Sequence, residues 1–202
     1  MQTTGKKVIA LDFDDVVAHF NAHFVVFHNK RYGTDLAYEN LYLYDNWELM
    51  YGCDRETMAL RAHEFYNSRE HQEIKPVPGA LEAITHLSQN YSLQIVTSRP
   101  EHIRDVTLNW INEFFPVHFE KIHFTNGFMG AAGSIIKKKS EVCREIGATV
   151  IIDDAIKHVK DVAASGLPAL LFDRPWNREE IPSGIHRMHS WQEIVDWIKM
   201  NA

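Results

Sequence analysis

The run Val8-Ile9-Ala10-Leu11-Asp12-Phe13-Asp14-Asp15-Val16 decides how the rest of the chain is read. It opens on apolar residues without polar alternation, the pattern of a strand buried on both faces in a helix-covered parallel sheet. Carboxylates follow at its carboxyl end, which is where an open α/β sheet binds its ligands. A carboxylate ending a buried strand is costly to desolvate unless a cation or a hydrogen-bond donor compensates it. The run therefore predicts a layered α/β fold and a site at that edge.

Working outward, residues 8–13, 93–97, 121–124, 150–152 and 169–172 read as short buried strands. Amphipathic helices lie among them, with Ile103, Val106, Trp110 and Phe114 on one stripe and Trp191, Ile194, Val195 and Ile198 on another. This alternation over residues 76–202 predicts a three-layer α/β sheet with right-handed crossovers. Residues 18–75 break the rhythm: Phe20, Phe24 and Phe27 share helical spacing, as do Met58, Ala62 and Phe65. Pro76-Val77-Pro78-Gly79 closes that stretch. The expected organisation is a core of residues 1–17 and 76–202 with a helical insertion, residues 18–75, after the first strand.

A chain of 202 residues suits one domain with an insertion. Lys and Arg number 21 against 27 Asp and Glu, a formal charge of −6, which argues against a nucleic-acid polymer as partner. With 45% hydrophobic and 24% charged residues the chain can bury a core. Cys53 and Cys143 cannot build a disulfide framework, so a reducing interior is expected. No apolar run approaches the roughly 18 residues of a membrane span. The early charges at Lys6, Lys7 and Asp12 do not suit a signal peptide. The expectation is a soluble cytoplasmic protein without a membrane partner; its oligomeric state is left open.

A second acidic pair, Asp153-Asp154, ends the apolar run at residues 150–152. Either pair alone is equally explained as a helix N-cap. Two pairs ending neighbouring strands would converge, and crowded carboxylates call for a divalent cation, with hard oxygen ligands selecting Mg²⁺. Thr97-Ser98-Arg99-Pro100 ends another strand, where a hydroxyl and free N–H groups suit a phosphate oxygen. Lys139 lies 14 residues before Asp153, near the start of a helix with Val142 and Ile146. From there it can offset the carboxylates and reach a phosphate, although a Lys137-Lys138-Lys139 run commonly marks a solvated face.

These elements, in this order, resemble the haloacid dehalogenase-like (HAD) phosphohydrolase superfamily. Its DxDx[TV] motif is matched by Asp12-Phe13-Asp14-Asp15-Val16, its Ser/Thr motif by Thr97, its lysine by Lys139 and its acidic pair by Asp153-Asp154. The resemblance implies a Rossmann-like parallel sheet with a small cap and an aspartyl-phosphate mechanism. Asp12 would be the nucleophile, Asp14 the general acid and base, and Thr97 and Lys139 the clamp on the phosphoryl group. Mg²⁺ would be held by Asp12, the backbone carbonyl of Asp14, Asp153 and Asp154. The chemistry is coherent in itself, since a carboxylate attacks a phosphate only when a metal and cations suppress their repulsion. A carboxylate at Asp14 also sets aside the dehalogenase and phosphonatase branches. Asp15 stands where many members have Gly.

A closer similarity is to the 5′(3′)-deoxyribonucleotidases, through Asp12 to Phe20, Pro76 to Ala83, Ile95-Val96-Thr97-Ser98, Ile151 to Asp154 and His189-Ser190-Trp191. That similarity implies cap aromatics stacking on a nucleobase, with Phe20, Trp47 and Phe65 as candidates. Phe65 also fits the core of the cap by its helical spacing. Ser98 and Arg99 are expected beside the phosphate; Arg99 replaces a smaller residue and suggests a grip on a second anionic group. The expected function is an Mg²⁺-dependent 5′-nucleotidase acting on small (deoxy)nucleoside monophosphates. The rivals are a phosphatase or phosphotransferase for another small ester such as a sugar phosphate, a nucleic-acid 3′-phosphatase, and a catalytically silent phospho-ligand-binding protein. His19 and His23 have metal-ligand spacing but no third ligand in view, and Gly127, Gly130 and Gly133 read as a loop.

Overall fold

The computed structural model describes residues 5–42, 47–128 and 135–202, the side chain of Trp47 excepted. In chain order the elements are β1 (Val8–Leu11), α1 (Phe20–Tyr32), α2 (Trp47–Tyr51), α3 (Arg55–Tyr66), α4 (Arg69–Gln72), α5 (Ala80–Ser88), β2 (Ser92–Thr97) and α6 (Arg104–Phe114). They continue with β3 (Lys121–Phe124), α7 (Lys139–Glu145), β4 (Ala148–Asp153), α8 (Ile156–Ala164), β5 (Ala169–Phe172), β6 (Ile185–Met188) and α9 (Trp191–Asn201). The strands form one parallel sheet in the order β3-β2-β1-β4-β5-β6.

The pleat sorts the strand side chains between two layers. Ile9, Leu11, Ile95, Val150 and Ile152 pack with Ile84, Trp110 and Ile194, and so under α5, α6 and α9. Ala10, Val96, Ile151 and Leu171 pack with Val142, Val159 and Val162 of α7 and α8. Both faces are therefore covered, as unbroken apolar runs require. The strand order reverses between β1 and β4, and such a reversal opens a crevice at the carboxyl ends of the two strands.

Three details depart from the sequence reading. The first strand ends at Leu11 rather than Phe13, because the N–H groups of Val17 and Ala18 both turn back to the Phe13 carbonyl. Strand β3 is an edge strand with Lys121 exposed, so it is only partly covered. Strand β6 was not expected: Ile185 and Met188 are buried but His186 and Arg187 interrupt the apolar run, which suits the other sheet edge.

Helices α1 to α4 lie between β1 and α5, where the aromatic spacing predicts helices. Asp54 caps α3 and Ser68 caps α4 through backbone N–H groups. Helix α1 has no local side-chain cap. Instead the buried Asp15, held at φ +55°, accepts from the N–H of Asn21 and, at 2.7 Å, from its Nδ2. A carboxylate of the first acidic motif thus closes the start of α1.

Helices α1 and α4 each carry a buried histidine, His28 and His71. Arg61 Nη1 donates to His28 Nε2 at 2.8 Å, while the other ring nitrogen donates to Thr34 Oγ1. His71 sits against Phe20, Phe65 and Tyr66, and its Nε2 is buried without a hydrogen-bond partner among the described residues. Burial, then Arg61, lowers His28 to about 4; burial, then Arg99 and His23, lowers His71 to about 3. In the unfolded chain both charge below the ordinary 6.5. Between those values the unfolded state binds more protons, so this contribution to stability is complete above about pH 6.5 and drains as pH falls. Buried carboxylates with raised pKa act in the opposite sense, so the clean measurement is a difference. Replacing His71 by Phe is expected to raise Tm relative to wild type more at pH 5 than at pH 8. An increment independent of pH would show that His71 does not carry the acid sensitivity.

Candidate active site

Register brings the acidic strand ends together. Leu11 pairs with Ile152, and the Asp12 N–H donates to the Ile152 carbonyl at 2.8 Å, setting Asp12 beside Asp153. Lys139 enters from the start of α7, and its Nζ lies 2.7 Å from both Asp12 Oδ1 and Asp153 Oδ2. The other oxygen of Asp153 accepts from the Ala155 N–H. Asp154 Oδ2 accepts from Trp176 Nε1 at 2.8 Å, and Asn177 Nδ2 ties the Asp154 carbonyl to that of Phe172. Lys139, Asp12, Asp153 and Asp154 are all buried. Lys137 and Lys138 instead pair with Glu145 and Asp161 at the surface, so only the last lysine of the run turns inward.

The electrostatics follow from that crowding. Burial, opposed by Lys139 and aided by Asp153, raises Asp12 to about 6. Burial also works to raise Asp153, but Lys139 and His158 outweigh it and hold its carboxyl below the usual range. Asp154 is pushed well above that range by burial and by the charges of Asp12 and Asp153. Burial works against a charged Lys139, yet its two carboxylate partners raise its pKa. Asp12 and Asp153 thus share the Lys139 ammonium, with the third buried carboxylate, Asp154, beside them. Oxygen atoms of Asp12, Asp153 and Asp154 lie within 4.8 Å of one another, the spacing at which a hard divalent cation takes oxygen ligands.

Thr97 ends β2 and lines the same cavity as Asp12 and Asp154, its Oγ1 accepting from the Arg99 N–H at 3.1 Å. Ser98 and Arg99 line the same cavity as Asp12, Asp14 and Asp154. Arg99 does not present a free guanidinium: it is buried, and Nε and Nη2 donate to the two oxygens of Asp14 at 2.9 and 2.7 Å. The charge that the sequence reading reserved for a second anionic group is matched here by the neighbouring Asp14 carboxylate.

Helices α1 and α3 supply much of the remaining cavity wall, with Phe20, Phe24, Met58, Ala62 and Tyr66, and Phe128 and Trp176 complete it. Phe20 is half-buried and lies in the wall. Phe65 is 0% exposed, packed among Phe20, Phe24, Phe27 and His71, and offers no face to a ligand. Its neighbour Tyr66 takes the wall position instead. The side chain of Trp47 lies outside the described residues, as do Gly130 and Gly133. His19 packs edge-on to Tyr38, and His23 Nε2 accepts from the Lys75 N–H. The sequence reading missed Tyr66, Asn21 and Trp176. The only signal for Trp176 is its place just past a buried strand; the other two carry none beyond helical spacing.

The fold is shared with HAD-like proteins. The Streptococcus pneumoniae haloacid dehalogenase-like family hydrolase SP0104 superposes with a TM-score of 0.68 at 12% identity, over 96% of this chain and 98% of that one. The HAD-family protein YfnB of Bacillus subtilis, solved bound to magnesium, gives 0.63 at 17% identity, over 96% and 99%. In sequence, the 5′(3′)-deoxyribonucleotidase of Bacillus subtilis is 25% identical over 195 residues, 94% of this chain and 96% of that one. Residues 6–202 match the family described as 5′ nucleotidase, deoxy (Pyrimidine), cytosolic type C protein, so the chain belongs to that family and is a HAD-like phosphoric monoester hydrolase.

Proposed function

We propose that this hydrolase is an Mg²⁺-dependent 5′-nucleotidase that removes phosphate from (deoxy)nucleoside monophosphates through an aspartyl-phosphate on Asp12. The observation that carries the reading is the Lys139 ammonium bridging Asp12 and Asp153, with Asp154 beside them, beneath an aromatic-walled cavity. Family membership and the similarity to a deoxyribonucleotidase support the substrate class.

The donor set fits Mg²⁺: three buried carboxylates with one ammonium leave excess negative charge, and all their donors are hard oxygens. Asp12, Asp153, Asp154 and the Asp14 carbonyl would hold it. When bound, the ion supplies positive charge against the phosphate oxygens and the carboxylates.

The protein's own residues do the remaining work. Lys139 and the Thr97 hydroxyl hold phosphate oxygens and fix Asp12 for in-line attack. An Asp12 oxygen bonds to phosphorus as the ester P–O bond breaks, and the departing oxygen takes a proton from Asp14. Water then attacks phosphorus, gives its proton to Asp14 and breaks the Asp12–phosphate bond, releasing inorganic phosphate. Phe20 and Tyr66 offer aromatic faces to the base, while the cap shields the site from bulk water. Both cysteines are free and buried, in keeping with a reducing, cytoplasmic setting.

The test is phosphate release from 5′- and 3′-(deoxy)nucleotides, sugar phosphates and aryl phosphates, in Mg²⁺ and in EDTA. Release that needs Mg²⁺ and favours 5′-nucleotides is the expected result. Phe20→Ala is expected to raise KM for nucleotides about tenfold, the scale of one lost base stack, and to leave KM for an aryl phosphate within about twofold. Preference for sugar phosphates would overturn the substrate class, and release unaffected by EDTA would overturn the metal dependence. Absence of turnover with every ester would favour the binding-protein rival.

A further inference from the structure

Arg99 makes more contacts than substrate binding or a simple ion pair requires. Its fork engages both oxygens of Asp14, and its Nη1 donates to Thr107 Oγ1 of α6 at 2.9 Å. Thr107 in turn donates to the Ile103 carbonyl, which anchors it. The guanidinium lies 4.5 Å from the ring centre of Phe13 and 5.5 Å from those of Phe20 and Tyr66, the last two belonging to the cap. It is 2% exposed, whereas the Asp14 side chain keeps 28% of its surface open.

A single donor would leave the Asp14 carboxylate free to rotate, but a planar bidentate partner fixes its plane. A carboxylate offers about four lone-pair positions and the fork occupies one on each oxygen, so each oxygen retains one for a cavity partner. The fork is itself immobilised by Thr107 and by the stacked rings.

We propose that Arg99 is a positioning residue that fixes the orientation of Asp14 for proton transfer and ties that orientation to the seating of the cap through Phe20 and Tyr66. This rests on the reading of Asp14 as general acid and base.

The experiment compares leaving groups. A p-nitrophenolate departs without a proton, whereas an unsubstituted phenolate and a nucleoside alkoxide increasingly need one. kcat/KM, which covers the steps through the first P–O cleavage, is measured in Mg²⁺ for p-nitrophenyl phosphate, phenyl phosphate and a 5′-nucleotide. The enzymes are wild type, Asp14→Asn, Arg99→Met, Arg99→Lys, Thr107→Val and the Asp14→Asn/Arg99→Met double variant. Asp14→Asn is expected to lose about 10²-fold or more on phenyl phosphate and far less on p-nitrophenyl phosphate. Arg99→Met should show the same bias, about 10- to 30-fold on phenyl phosphate and within about threefold on p-nitrophenyl phosphate. Arg99→Lys should recover part of that loss, and Thr107→Val should show a smaller loss with the same bias. The double variant should be no more biased than Asp14→Asn.

Equal losses on all three esters for Arg99→Met and Thr107→Val would make Arg99 merely structural and overturn the inference. A loss confined to KM for the nucleotide would make it a substrate contact instead, with the same consequence. If Arg99→Met fails to fold, Thr107→Val and Arg99→Lys decide between these outcomes. Absence of any leaving-group bias in Asp14→Asn would overturn the reading of Asp14 itself, which is distinguishable because it appears with Arg99 intact.

Discussion

Asp12→Asn is expected to cut phosphate release by at least about 10³-fold while leaving the protein folded and no less stable at pH 8. The scale is that of removing a nucleophile from a preorganised site. The stability half follows from charge. Burial and the neighbouring carboxylates raise Asp12 to about 6 against the pull of Lys139, compared with its ordinary 3.8. Between those values the folded state binds the extra proton, so the cost of charging Asp12 builds as pH rises through that window and is fully present at pH 8. The amide removes that charge, while Lys139 keeps Asp153 as a partner at 2.7 Å. Turnover near wild type would refute the nucleophile. A fall in Tm in EDTA at pH 8 would show instead that Lys139 needs both carboxylates.

Lys139→Met should act in the opposite direction on stability. It removes the ammonium that Asp12 and Asp153 share and leaves buried carboxylates facing one another. Breaking a buried pair from one side costs about 3–5 kcal/mol, so a large fall in Tm is expected together with loss of turnover. Two readouts separate charge from packing. Protonation of the orphaned carboxylates should shrink the Tm deficit between pH 8 and pH 5. Added Mg²⁺ should raise Tm through binding to the folded state alone. A deficit indifferent to both would mean that the lysine stem, not its charge, had been holding α7 against β4.

Much of this architecture is legible locally. The runs ending at Leu11, Ile152 and Phe172 are apolar without alternation, the pattern of a parallel strand buried on both faces, whereas β2 carries a buried Gln94 that His123 of β3 partners. The spacing of Phe20, Phe24 and Phe27 suffices for α1, because helical period is a property of a single segment. The same periodicity cannot tell Phe65 from Tyr66. It says that a face is apolar, and only the packing of α3 against α1 sends one ring into the hydrophobic core and its neighbour into the cavity wall.

By itself the sequence determined the buried strands other than β6, the helices between β1 and α5 and the acidic residues at the strand ends, since each depends on local pattern and side-chain chemistry. The tertiary structure alone decided which groups meet. Asp12 faces Asp153 because β4 pairs with β1, an order that no stretch of sequence encodes locally. Asp15 caps a helix it does not belong to, Trp176 donates to Asp154, and Arg99 spends its charge on Asp14 across 85 positions of chain. These pairings arise because buried polar groups must find partners, and the partner is whichever complementary group the packed layers bring within reach.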